Sequence, residues 1–313
     1  MNFLAADIGA TNSRLAWQSG GDVCTADYSN ADFADLYQVI ERFLQDKGGQ
    51  DVRISNMALA LPGPPDSECM RLTNIDWVVE RSRLQERFDV DEVFLLNDFQ
   101  AAAVGAINCD APIALHPAQG RPRTGTAVVT GAGTGLGLAW FADIESGGLP
   151  AATEGGHADF APVNDQEYGL HRWLSDKYGH VSWERVLSGQ GLRDLYVYFA
   201  AQGSEAPPAD QISSGAREGD PLALKAVNCF VDVLGRYAGN LALQFNPTAG
   251  IYLCGGVTGH LASWIEQNFR AAYLDKGRMR GQVERIPAYL IREQNVGLEG
   301  AIRIARGARN GAT

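Results

Sequence analysis

Asp7 closes the apolar run "FLAADI" and is followed by Gly9-Ala10-Thr11-Asn12 before a second apolar run, "SRLAW". A carboxylate at the end of a buried strand, beside a turn able to aim N–H groups at an anion, suits a nucleotide whose phosphates carry a divalent cation. Asp7 would then be an outer ligand of Mg2+. Alternatively, Asp7 caps its own turn through the N–H groups of Gly9 and Thr11. A second carboxylate, Asp98, follows Asn97 where "VFLLN" gives way to "DFQAAAVGAIN". By type it suits a helix N-cap; by chemistry it suits a general base for a hydroxyl attacking a γ-phosphoryl group, a reaction that needs mainly alignment and charge stabilisation.

Glu154 and His157 flank two glycines in "TEGGHADFAP", and Glu184 lies in "VSWERVLSG", near the expected start of a helix. Singly, Glu184 is a surface helical charge and His157 a hydrogen-bonded structural histidine. Together with Asn97 and Asp98 they form a set of acids and amides suited to the adjacent hydroxyl pairs of a sugar. Zinc is the competing reading of His plus Glu, but neither an HExxH spacing nor clustered cysteines support it.

The stretch "GAGTGLG", Gly131–Gly137, is a second candidate anion turn. No lysine in the chain follows a glycine, which excludes a P-loop. The dinucleotide pattern GxGxxG fails by one residue, and "LGLAWF" continues as a strand where a helix should begin. What remains is a hairpin whose turn, Gly133-Thr134-Gly135, offers N–H groups and a hydroxyl to phosphate oxygens.

Positioning these groups takes an α/β framework, since short β-rich runs alternate with helical patterns along the chain. At a spacing of 123 residues, Thr11, Leu15, Ala16 and Trp17 recur as Thr134, Leu138, Ala139 and Trp140. That pattern suggests two related halves, each presenting a phosphate-sized turn; two unrelated hairpins are the alternative. "GIYLCGGV" predicts an apolar strand entering a glycine turn at Gly255-Gly256, ahead of a helical stretch. Residues 203–221, rich in Pro and Gly, predict a loop or helix connection. A boundary is expected near residues 108–125, with the last helical stretch, "VGLEGAIRIARGA", returning to the first domain. The division expected is a small α/β domain, 1–108 plus 297–313, and a large one, 109–296.

At 313 residues the chain is long enough for two cores. Its net charge is −11 and only four of its 26 basic residues are lysines, which argues against nucleic acid and anionic membrane as partners. An anionic ligand must therefore be held locally, by backbone N–H groups, helix N-termini and a cation. The five cysteines, odd in number and without a CxxC pair, are expected to be small buried hydrophobes in a reducing compartment. With no signal-like N-terminus and no membrane-length apolar run, a cytoplasmic location is expected.

The motifs "ADIGATNSRLA", "LLNDFQAAAVG", "GAGTGLGLA", "TEGGHADFAP", "ERVLSGQGL" and "LCGGV" together resemble those of the bacterial glucokinases, within the hexokinase-like group of the actin-like ATPases. The resemblance runs from the N-terminus to the "GLEG" turn near residue 300. It implies two ribonuclease H-like α/β domains flanking a deep cleft, ATP with Mg2+ as phosphoryl donor, and the 6-hydroxyl of glucose as acceptor. It further implies Asp98 as base, and Asn97, Glu154, His157 and Glu184 around glucose, with Asn74 of "LTNIDW" lining the sugar side. Asp7, Gly9, Ala10, Thr11 and Asn12, with Gly133, Thr134 and Gly135, would face the phosphates, and Gly255 and Gly256 the adenosine. A homodimer is implied by the family alone. The repressor/kinase branch carries a cysteine-rich zinc motif after its histidine, whereas "ADFAPVNDQEYG" has no cysteine. Broad-specificity hexokinase, an idle sugar sensor and another actin-like ATPase are the alternatives to a glucose-specific kinase.

Overall fold

The computed structural model describes residues 2–49, 52–64, 66, 68–73, 75–117, 123–200, 205–293 and 295–307. The chain divides into two units, one comprising residues up to Asn108, Glu145–Ala152 and residues from Asn295 on, the other Cys109–Ile144 and Thr153–Gln294.

In the first unit, β1 (Phe3–Ile8), β2 (Asn12–Gln18), β3 (Cys24–Ser29), β4 (Asn56–Leu61) and β7 (Glu92–Asn97) form a sheet of order β3-β2-β1-β4-β7. A separate hairpin joins β5 (Cys69–Arg71) and β6 (Val78–Glu80). The first three strands pair antiparallel, whereas β1, β4 and β7 run parallel. Strand alternation sorts β1 between two cores. Leu4, Ala6 and Ile8 pack with Val39, Ile40 and Phe43 of α1 (Leu36–Lys47), above which α2 (Arg81–Phe88) contributes Leu84. Phe3 and Ala5 pack with Ala101 of α3 (Asp98–Ile107) and with Leu298, Ala301 and Ile302 of the returning helix Val296–Ala305. Asp7 shares the parity of Phe3 and Ala5, so its side chain falls under the returning helix.

That helix and α3 touch backbone to backbone. A Cβ on Gly105 would lie 2.1 Å from the Val296 carbonyl oxygen, and one on Gly300 would lie 1.8 Å from that of Ala101. The alanines and glycines of "AAAVGAI" and "GLEGAI" are therefore a packing requirement.

In the second unit, β8 (Ile113–His116), β9 (Ala127–Ala132), β10 (Leu136–Phe141), β12 (Gly250–Cys254) and β13 (Ala288–Leu290) lie in the order β10-β9-β12-β13-β8; a short β11 (Ala151–Thr153) follows β10 in the chain. Antiparallel β9–β10 beside parallel β9–β12 repeats the arrangement of β1–β2 beside β4. The registers match as well. In the first hairpin Ile8 faces Ser13 across the turn Gly9–Asn12, while in the second Ala132 faces Leu136 across Gly133–Gly135, a turn one residue shorter. The 123-residue spacing thus holds on the outgoing strands and becomes 124 on the incoming ones.

The helices of this unit include α4 (Asp165–Tyr178), α5 (Gly189–Phe199), α6 (Ala209–Glu218), α7 (Pro221–Phe245), α8 (Gly256–His260), α9 (Ala262–Tyr273) and a short one, Arg280–Val283. The long α7 starts with Asp220 accepting from Leu222 N and Pro221 in its first turn, and buries Val227, Phe230, Val231 and Leu234 in the core. Each such fully buried side chain contributes roughly 1.5–3 kcal/mol. Two expectations change here. Residues 209–218 of the expected connection form a full helix, held by Ile212 and Ala216; a single large apolar residue gave the sequence little periodicity to detect. Among the cysteines only Cys229 and Cys254 are buried, Cys24 and Cys109 are half-buried and Cys69 is exposed; all five are free thiols. Among the described residues no helix is long and apolar enough to cross a membrane.

Candidate active site

In the first unit the site is set by the junction of β7 and α3. Asn97, not Asp98, is the helix N-cap: its Oδ1 accepts from Phe99 N (3.0 Å) and Gln100 N (3.3 Å), while Gln100 Oε1 accepts from Asn97 N (3.1 Å). The reading of Asp98 as the cap is thereby corrected, because a capping box is already complete without it. Asp98 is the first helical residue, exposed, with Oδ1 accepting from Phe99 N (2.8 Å). Asn97 also donates from Nδ2 to the Gly63 carbonyl (2.8 Å), and Gln100 from Nε2 to that of Pro150 (2.9 Å), so the corner that carries Asp98 is braced. Asn74 lies outside the described residues.

The turn after β1 closes on itself, with Gly9 N donating to Asn12 O (2.9 Å). Asn30 latches it from the end of β3, donating to Gly9 O (2.9 Å) and, through its backbone, to Thr11 O (2.8 Å), while Ser13 Oγ donates to Asn30 Oδ1 (2.6 Å). Asp7 is therefore not needed to cap the turn through Gly9, and that alternative is dropped. Gly9, Ala10, Thr11 and Asn12 are exposed, and Asp7, Gly9, Thr11 and Asn12 line a cavity of about 150 Å³ with Arg14. A Cβ on Gly297 would sit 2.7 Å from Asp7 Oδ2, so this glycine leaves room for the carboxylate. Burial first, and the negative charge of Asp98 second, push the Asp7 carboxyl up to about 6, against the lowering influence of Arg14.

In the second unit two distant segments zip together. Asp159 bridges Ser182, Phe160 N donates to Val181 O (3.0 Å), Trp183 N to Ala158 O (2.9 Å) and Glu184 N to Gly156 O (2.9 Å). The Gly-Gly pair lets residues 155–157, a 3-10 turn, lie flush on β10: a Cβ on Gly155 would meet Leu138 Cδ2 at 2.4 Å, and one on Gly156 the Leu136 carbonyl oxygen at 2.1 Å. The three predicted sugar-side residues are thereby gathered, with His157 Nε2 3.9 Å from both Glu154 Oε2 and Glu184 Oε1. Their exposure is graded: the side chains of Glu154 and His157 are 86% and 58% exposed, that of Glu184 only 27%. Glu184 is not at a helix start; it lies in a turn ahead of α5, and its Oε2 accepts from Leu136 N (2.9 Å). The surface-helix reading of Glu184 is corrected accordingly.

Gly133 N donates to Gly135 O (2.8 Å) and is committed to its own turn, but the N–H groups of Thr134 and Gly135 have no partner among the described residues. Gly255 leaves β12 at φ 101°, where a Cβ would lie 2.6 Å from Ala132 O; Gly256 opens α8, with open space where its Cβ would be. A glycine is required at 255, and 256 presents bare backbone.

For a magnesium ion the donor chemistry fits in one way. Among the described residues no group of three or more His, Cys, Asp or Glu side chains could hold a metal by itself. Asp7, crowded by the charge of Asp98, is a carboxylate that a cation would relieve, and magnesium commonly takes one or two carboxylates with waters and phosphate oxygens. Sequence reasoning missed three supporting residues. Arg14 sits opposite Asp7 in the β1–β2 register, Gln100 completes the Asn-x-x-Gln spacing of a capping box, and Asn30 is legible only once β3 is paired.

A sequence model of the family described as Glucokinase matches residues 4–308. The glucokinase of Marinobacter nauticus is 36% identical over 311 residues, 95% of each chain. Among solved structures, the glucokinase of an Antarctic psychrotroph superimposes with a TM-score of 0.84 at 28% identity, covering 98% of this chain and 99% of that one. The glucokinase of Balamuthia mandrillaris in complex with glucose gives 0.77 at 25% identity, covering 98% and 94%. With a match along nearly its whole length, over a fold of two β-sheet units and the gathered EGGH and ERVLSG segments, the chain belongs to the glucokinase family.

Proposed function

We propose that this glucokinase-family enzyme transfers the γ-phosphoryl group of ATP to the 6-hydroxyl of glucose, with Asp98 as general base and the two units closing on the sugar. The carrying observation is the gathering of Glu154, His157 and Glu184 within 3.9 Å contacts, three side chains suited to adjacent hydroxyl pairs. The relative solved with glucose supports the choice of sugar.

Asn97 and Asp98 address the same hexose from the first unit. Asp98 accepts the proton of the 6-hydroxyl as its oxygen bonds to the γ-phosphorus and the bond to the β–γ bridging oxygen breaks, releasing ADP. Its exposed place in the first turn of α3 lets a hydroxyl reach it, and alignment matters more here than basicity. The turns Gly9–Asn12 and Gly133–Gly135 hold phosphate oxygens through backbone N–H groups, and Gly255-Gly256 lies against adenosine. Asp7 would be the residue that holds a magnesium ion, which would supply positive charge to the terminal phosphates. Closure excludes water that would otherwise take the phosphoryl group.

ADP release measured against a panel of hexoses tests the reading. Glucose should drive turnover, whereas 6-deoxyglucose should compete with glucose without yielding ADP above background. ADP release at one rate with or without hexose would overturn it.

A further inference from the structure

Glu184 has a second task that its role at the sugar does not require. Its Oε2 accepts from Leu136 N at 2.9 Å, and a Cβ on Gly135 would lie 2.6 Å from that same oxygen, so the carboxylate rests flush on the turn Gly133–Gly135. At the other end of the turn, Gly189 N donates to Gly133 O (2.8 Å). One short segment, residues 184–189, therefore grips both ends of the turn. The grip is itself anchored: Glu184 N donates to Gly156 O (2.9 Å), and Gly156 presses against the Leu136 carbonyl so closely that a Cβ there would stand 2.1 Å from its oxygen. The two carboxylate oxygens face different groups, with Oε2 on the turn and Oε1 3.9 Å from His157 Nε2.

We propose that Glu184 is a positioning residue for the nucleotide: it braces the phosphate-facing turn through Leu136 N–H even without sugar. This proposal rests on the assignment of that turn to phosphate and of Glu184 to glucose. A hydroxyl bound at Oε1 fixes the side chain further and with it the turn, so glucose and nucleotide bind with positive coupling. By linkage the coupling is reciprocal.

The test is calorimetric titration of the sugar-free enzyme with the magnesium complex of a non-hydrolysable ATP analogue, with a separate glucose titration and a thermal melt for each variant. Glu184→Ala should lose nucleotide affinity roughly threefold to tenfold, the worth of one hydrogen bond. Glu184→Leu, which keeps the bulk but has no acceptor, should lose as much without opening a cavity. Glu184→Gln, whose amide oxygen still accepts from Leu136 N, should stay within about twofold of wild type, while its glucose affinity falls. Glu154→Gln should weaken glucose binding and leave sugar-free nucleotide binding unchanged. Gly133→Val fills the open side of the turn and should abolish nucleotide binding. If Gly133→Val loses the nucleotide while Glu184→Ala and Glu184→Leu bind it like wild type, the brace alone is overturned. Equal losses in Glu184→Gln and Glu184→Ala overturn it too. If Gly133→Val binds normally, the assignment of the turn to phosphate fails, and the brace with it.

Discussion

Asp7 is a costly residue at the scale of single side chains. Its carboxyl is pushed up from the ordinary 3.8 to about 6, by burial and then by Asp98, so the folded state holds a proton that the unfolded chain releases more readily. The sign follows: stability falls as pH rises from about 4 to about 6, and above that range the whole penalty is present. Asp7→Asn should therefore raise the melting temperature at neutral pH by a few degrees, on the order of 1–3 kcal/mol, while lowering turnover. A thermal melt and an ADP-release assay of the same variant check this; a lower melting temperature at pH 7 would contradict it. The apolar run around Asp7 made it legible in sequence as an anomaly. Its seat under Gly297 was not legible, because a contact 290 residues away leaves no local pattern.

At the scale of elements, the spacing of small residues does the positioning. Backbone contact of α3 with the returning helix fixes where α3 lies, and Asp98 rides on its first turn. Gly300→Ala, with its added carbon 1.8 Å from Ala101 O, should force the two helices apart at a cost of about 1–3 kcal/mol. Turnover should drop more than glucose affinity. Gly281→Ala, in open space on the short helix Arg280–Val283, should leave the melting temperature unchanged or slightly raised. Equal effects of the two substitutions on melting and turnover would remove the helix contact from the account. Strands and hairpins were well legible, since "FLAADI" and "GTAVVT" are short, nearly continuous apolar runs ahead of glycine turns, as strands buried on both faces are. Helix α6 was not, and neither was the turn that holds Glu184, which pairs with the EGGH segment while Ser188 caps the start of α5 by accepting from Gly191 N.

Across the whole molecule, two units repeat one β-hairpin with its parallel neighbour, and each hairpin ends in a turn whose first glycine N–H closes it. Under the proposed function, the N–H groups such a turn leaves over, those of Thr134 and Gly135, would hold an anion on a chain of net charge −11 in place of bulk attraction. The repeat was legible because the outgoing strands kept Leu-Ala-Trp; the one-residue difference between the turns was hidden by aligning only those strands. Central to the proposed function is Asp98 taking the proton from a hydroxyl of the bound sugar. Turnover and glucose affinity measured on Asp98→Asn test this most directly. The account predicts turnover lower by roughly two to four orders of magnitude, with glucose affinity within a few-fold of wild type. Wild-type turnover in Asp98→Asn would contradict it.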